Sequence, residues 1–236
     1  MRLIYSIIIC YAIIIGFSNA QDVWLSISNA GAEKIRIAVV PFVPRVENPT
    51  ADDIGIGEKI AEVITSDLTF SPFFTVLDTE YFPQRITSEK DINPFQWMSI
   101  GVQAIIIGSF KISGANLKVD ARLYSVTSSK RMYRRKLTEK PQQIRRIAHA
   151  ISDDVVKALT GEEGIAQTRI AFISSRTGHK EIYICDYDGF YVNRLTYNNS
   201  ISFTPDWSPD GFSISYTSLT DDNANLYVFN LDKEQN

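Results

Sequence analysis

The sequence predicts an α/β domain, a mixed sheet with packed helices, followed by blades of an all-β propeller that stays incomplete in this chain. Three observations predict it. Between residues 34 and 161, strongly apolar strand-like runs alternate with stretches whose apolar residues recur at helical spacing. From Thr168 onward the helical period is gone, and short alternating runs are split by turns. Laid on itself, this tail matches at an offset of 44. Arg169, Ile170, Ala171 and Phe172 fall on Ser213, Ile214, Ser215 and Tyr216, and residues 181–186 fall on 225–230. A period of roughly 40–45 residues, with four short strands per unit, is that of propeller blades.

The N-terminus reads as an export signal over residues 1–20. Arg2 is the only charge there, Leu3 to Phe17 is almost unbroken apolar sequence, and Ser18, Asn19 and Ala20 set small residues at the −3 and −1 positions of a cleavage site between Ala20 and Gln21. The apolar run falls short of the roughly 20 residues that a membrane span takes. No basic stop-transfer cluster follows it. Ile9, ahead of Cys10, is not the small residue that a lipoprotein signal carries. Once the signal is removed, Cys185 stands alone and cannot form an internal disulfide. It lies in an apolar run and reads as a small buried hydrophobe.

The mature chain then divides into residues 21–161 and residues 168–236. Its first segment alternates, with Val23, Leu25 and Ile27 on one side and Trp24, Ser26 and Ser28 on the other, so residues 21–28 read as a lone strand ahead of Gly31. The run KIRIAVVPF (34–42) is an apolar strand halted by Pro41 and Pro44. Asp52 and Asp53 place acidic charge at a helix start, and Ile56, Ile60, Val63, Ile64 and Leu68 form its apolar stripe. Phe74 to Leu77 is a short strand, Asn93 and Pro94 open a short helix, and Val102 to Gly108 is a buried strand. Leu117 to Leu123 alternates as a half-exposed strand, and Arg131 to Leu137 is a further one. Pro141 begins a helix whose apolar face is Ile144, Ile147, Ala148, Ile151, Val155 and Leu159, with Gly161 as its stop. His149 is off that face and is expected to be a solvated surface residue.

Charge and motifs exclude several functions. Residues 21–167 carry 18 basic and 18 acidic side chains, whereas residues 168–236 carry 5 and 9, a balance foreign to nucleic-acid binding. The run KRMYRRK (130–136) reads as a charged edge strand, with an anionic partner surface as its other reading. Gly55 and Gly57 lack the third glycine of a dinucleotide loop and fall inside a helical pattern. In DYDG (186–189) the glycine is fourth, not sixth as in an EF-hand, so Asp186, Asp188 and Gly189 read as a hairpin turn. The histidines and cysteines have no metal-ligand spacing, and no nucleophile–base motif occurs. No catalytic, cofactor-binding or metal-binding residue is therefore assigned.

Taken in order, several stretches resemble one known family. These are DVWLSISNAG (22–31), IRIAVVPF (35–42), FSPFFTVLD (70–78), FQWMSIGVQAIIIG (95–108), ISDDVVKALTG (151–161), TRIAFIS (168–174), DYDG (186–189) and WSPDG (207–211). The chain resembles the TolB family, periplasmic components of the Tol–Pal envelope system of Gram-negative bacteria. The resemblance implies an α/β domain and a six-bladed propeller, no enzymatic activity, and a periplasmic adaptor role in outer-membrane integrity and cell division. It implies the lipoprotein Pal as a partner of the propeller, and the inner-membrane protein TolA as a partner of a terminal switch strand. Here that strand would be Gln21, Asp22, Val23, Trp24, Leu25, Ser26 and Ile27. Six blades of 44 residues need roughly 260 residues, and the tail has 69, so the chain reads as a fragment. Trp207, Ser208, Pro209, Asp210 and Gly211 are then expected to mark the passage from one blade to the next, with Trp207 packed between sheets. Two other readings are the propeller-bearing start of a secreted peptidase and an unrelated envelope binding module.

Overall fold

The computed structural model describes residues 33–220 and 223–231. The expected signal (1–20) and switch strand (21–28) lie outside the described residues. The α/β part comprises β1 (Ile35–Val39), β2 (Val43–Pro44), α1 (Ala51–Phe70), β3 (Phe74–Leu77), α2 (Pro94–Ser99), β4 (Ala104–Ser113), β5 (Asn116–Ser125), β6 (Lys130–Glu139) and α3 (Ile144–Thr160). Its sheet runs β3-β1-β4-β5-β6, with β2 also paired to β4. β1 lies parallel to β3 and β4, while β4, β5 and β6 form an antiparallel meander. The sheet is thus mixed, as the sequence predicts, and β6 is an edge strand.

α1 begins where Thr50 caps it. Thr50 Oγ1 accepts from the Asp53 N–H, and the Asp53 carboxylate accepts from the Thr50 N–H at 2.9 Å. Gly57 has a packing role. The Phe42 N–H donates to its carbonyl at 3.1 Å, and a Cβ there would lie 1.9 Å from the Phe42 carbonyl oxygen. The strand end and the helix can approach this closely only over a glycine.

One face of the sheet packs on α1 and α3 through Ile37, Ile60, Ile64, Leu68, Ile106, Leu123, Ile147 and Ile151. Full burial of such a side chain is worth about 1.5–3 kcal/mol. The other face is covered only in part. α2 and the segment before it place Trp97, Ile86 and Ile92 against Ile105 and Ile107. Farther along β4 and β5, Lys111 and Lys118 are exposed.

Beyond α3, Gly161 takes φ 81° and ends the helix. The Asp153 carboxylate then accepts from the Ala166 N–H at 2.6 Å and from Gln167 at 2.9 Å, holding the connection to α3. Two three-stranded antiparallel sheets follow. The first is β7 (Arg169–Ser174), β8 (Glu181–Asp186) and β9 (Asn193–Arg194); the second is β10 (Ser202–Trp207), β11 (Ser213–Thr220) and β12 (Asn223–Asn230). The 44-residue offset has a physical counterpart. Phe172 opposes and stacks on Tyr183 at 5.7 Å between ring centroids, and 44 residues on Tyr216 opposes and stacks on Tyr227 at 5.5 Å. These are propeller-type sheets, and they do not close a ring among the described residues.

The expected place of the WSPDG turn needs correcting. Trp207 ends β10 and Ser213 begins β11, and the two strands pair antiparallel within one sheet. The turn is therefore a hairpin inside a blade. Residues 195–201 make the passage between sheets. The period alone could not separate these alternatives, because only two units are present and β10 has no strand counterpart 44 residues earlier.

Candidate functional site at the domain junction

The residues singled out as propeller turns fall into two places. In WSPDG, Gly211 takes φ 74° and its N–H donates to the Ser208 carbonyl at 2.9 Å. Asp210 accepts from the Ser208 hydroxyl at 2.6 Å and from the Phe212 N–H at 3.0 Å. Pro209 precedes that aspartate in the tip of the turn. Trp207 is half-buried against the cluster formed by Ile182, Ile184 and Leu195 of the first sheet and Ile214 and Tyr216 of the second. The Arg169 guanidinium lies 5.1 Å from its ring centroid. This turn is structural.

The DYDG turn does more. Gly189, at φ 80°, closes a tight turn onto the Asp186 carbonyl. Both aspartates then face the α/β domain. Arg145, in the first turn of α3, donates Nε–H to Asp186 at 3.1 Å and Nη2–H to Asp188 at 2.5 Å. Its guanidinium also stacks over Phe190, 4.2 Å from the ring centroid. One helical turn on, His149 Nδ1 meets Asp67 of α1 at 2.8 Å. Its Nε2 lies 3.4 Å from Arg145 Nη2 and 3.8 Å from the Asp186 carboxylate. Beside this network Phe70 and Tyr187 meet edge to face.

His149 is therefore buried, with 7% of its side chain exposed, and the expected solvated histidine is corrected. Both the α/β core and the first blade pack on α3, so its buried surface is wider than one apolar stripe. Arg145, His149, Ser152 and Val156 form a second stripe at spacings of 4, 3 and 4. That polar stripe was the available signal.

The charges are set by burial and by partners. Burial pushes the Asp67 carboxyl above its ordinary value, against the opposing pull of His149 and Ser152. Burial alone would raise Asp188 too, but the Arg145 guanidinium and the Phe190 N–H hold it below its ordinary value. Asp67, His149 and Asp188 bring ligand atoms within 4.8 Å of one another, a donor set that a divalent cation takes. Arg145 already supplies the positive charge there, so the arrangement acts as an ion network that ties α1 and α3 to the first blade. A cavity of about 160 Å³ lies alongside, bordered by Leu68, Phe73, Val156 and Tyr187.

A second polar seam joins the two sheets. Glu181 is fully buried, and its carboxylate accepts from Arg194 at 2.9 Å, from Thr196 at 2.5 Å and from the Asn199 N–H at 3.0 Å. Burial would raise its carboxyl, but these donors hold it below the usual value.

An α/β domain that carries propeller blades clamped to its last helix defines a two-part, propeller-bearing protein. The family comparison is specific. A model described as the TolB amino-terminal domain matches residues 23–132, and one described as the TolB beta propeller domain matches residues 156–236. The chain belongs to the TolB family. A Tol-Pal system protein TolB of Geobacter sulfurreducens is 35% identical over 82% of this chain and 44% of its own length. One from Actinobacillus succinogenes is 33% identical over 94% of this chain and 52% of its own length. The crystal structure of TolB from Acinetobacter baumannii superposes with a TM-score of 0.70 at 24% identity, covering 85% of this chain and 48% of that one, and shows the same fold. The chain thus spans about half the length of the relatives it matches.

Proposed function

We propose that this chain serves as the amino-terminal part of a non-enzymatic periplasmic adaptor in a Tol–Pal system. In this reading it links a Pal-type lipoprotein of the outer membrane to inner-membrane TolA, in support of envelope integrity and constriction. The observation that carries the reading is the joining of two TolB modules in order, the blades being held to the α/β domain by Arg145. Signal cleavage would fall between Ala20 and Gln21, and the domains would divide at residues 161 and 168. Gln21, Asp22, Val23, Trp24, Leu25, Ser26 and Ile27 would form a strand that TolA captures by strand addition, with main-chain hydrogen bonds giving affinity and alternate side chains giving selectivity. A Pal-type partner would take the complete propeller.

Deleting residues 21–27 tests the strand. Binding of purified TolA, followed by calorimetry, is expected to vanish while the circular dichroism of the folded domain is retained. Undiminished TolA affinity would overturn this role. Independently, a bait extended to the full length of the relatives is expected to retain a Pal-type lipoprotein.

A further inference from the structure

The uncovered half of the α/β sheet carries a charge pattern that edge protection does not explain. Asp120, on β5, is buried, and three arginines converge on its carboxylate. Arg45 Nη2 and Arg122 Nη2 each lie 2.9 Å from it, and Arg134 Nη2 lies at 2.7 Å. Arg134 and the other guanidinium groups hold this carboxyl far below its ordinary value, so it stays ionised. With Glu89, which pairs with Arg122 at 3.8 Å, two negative charges are set against three fixed positive ones. Arg45 and Arg134 keep 50% and 41% of their side chains exposed, which leaves donors facing outward. Arg45 is fixed further by its Nε–H bond to Ser109 at 2.8 Å.

Lysines surround this anchored cluster. Lys111 of β4 stands directly opposite Lys118 of β5, and Lys136 of β6 stands opposite Asp120. With Arg45, Ser109 and Thr138 they border a depression of about 250 Å³. Like charges placed directly opposite each other destabilise a sheet. Charge that keeps an edge from pairing belongs on β6 and on the end of β4 beyond Phe110, but Lys118 of β5 is paired on both sides, with Lys111 and with Thr138. Among the described residues, Asp120 and Glu89 are the carboxylates paired with this group.

We infer that this face binds an extended acidic protein segment carrying carboxylates at alternate positions. Strand residues two apart lie on one face about 6.8 Å apart. The Lys111–Lys118 pair and the Asp120–Lys136 pair are two residues apart along β5. Carboxylates at i and i+2 of an extended segment therefore meet the Lys111–Lys118 pair and then Arg45 and Lys136, which border the same depression. The recess favours such a segment over a flat anionic lipid surface, because the Arg45 guanidinium and its partner Asp120 line it together with the three lysines.

The test uses the full 236-residue chain and a fluorescent blocked peptide of alternating Thr and Glu, with a Thr–Gln peptide as control. Anisotropy is expected to show binding of the acidic peptide alone, weakened about tenfold by Lys111→Gln, Lys118→Gln and Lys136→Gln together. Raising the salt should weaken it as well. Lys59→Gln, on the far side of the sheet, should leave it unchanged. Equal affinity of the triple variant, equal binding of the Thr–Gln peptide, or no binding of the acidic peptide would each overturn the inference. So would binding confined to phosphatidylglycerol vesicles. Unchanged thermal unfolding of the triple variant ties the loss to the lysines rather than to folding.

Discussion

The α/β domain and the two blades solve the same problem by different means. In the α/β domain the sheet is buried against two helices, and the cluster between them is apolar, with Ile37, Ile60, Ile64 and Ile106 fully covered. The blades have a smaller apolar cluster, and what lies between them includes Glu181, Ser202 and Ser218, each fully buried and each hydrogen-bonded. A sheet with helices on one face can rely on non-directional burial. Two small sheets meeting face to face rely more on polar groups that fix their relative setting, at the risk that one missing partner is costly. The junction extends this to the domain boundary, where Arg145 meets the first blade beside the Phe70–Tyr187 contact.

The sharpest way to break the contrast is Glu181→Ala. It leaves Arg194 Nη2, the Thr196 hydroxyl and the Asn199 N–H without this acceptor. The expected cost is about 3–5 kcal/mol, in the range for removing one partner of a buried ion pair. Amide exchange should accelerate through β8, β9 and β10 and stay slow in β4 and β5. Uniform acceleration in both regions would show that the blades and the α/β domain unfold as one unit.

A smaller loss, about 2 kcal/mol, is expected for Arg145→Ala, which strands Asp188 with 4% of its side chain exposed. Removing a group that bridges the two regions should loosen β7 and β8 relative to α3. A Lys at this position should restore little, because a single ammonium cannot fork between Asp186 and Asp188 while stacking on Phe190. Full rescue by Lys would argue that charge alone, not geometry, holds the junction.

How much of this was legible follows from how far apart the interacting residues are. β3 is readable because Pro72 and Asp78 bracket five residues of strand character, four of which form the strand. The blade period is readable because both members of each stacked pair, Phe172 with Tyr183 and Tyr216 with Tyr227, repeat together. DYDG is readable as a turn from its own four residues, but not as the partner of Arg145, which precedes it by about 40 positions. The same holds for Asp67 with His149, 82 residues apart, and for Arg45 with Asp120, 75 apart. The stripe of Arg145, His149 and Ser152 has helical spacing, but a polar stripe fits solvent as well as a partner, so His149 reads as solvated until a second element is known to pack on its side of α3.

The junction also allows the smallest expected effect, a dependence on pH whose sign differs between two carboxylates in one network. Asp188 has a lowered value, so its contribution is complete above the ordinary aspartate range and is lost as pH falls through its folded value. Asp67 has a raised value, so the folded state binds its proton first, and its contribution grows as pH falls from neutrality toward about 4. Asp67→Asn removes only the second term. Urea unfolding of both proteins at several pH values between 7 and 4.5 should show the original chain gaining stability relative to the variant as the solution is acidified. A difference that stays flat, or that runs the other way, would mean that the His149 contact outweighs burial at Asp67. The junction would then be held by charge at both ends, and the contrast between an apolar domain core and a polar boundary would extend into α1 itself.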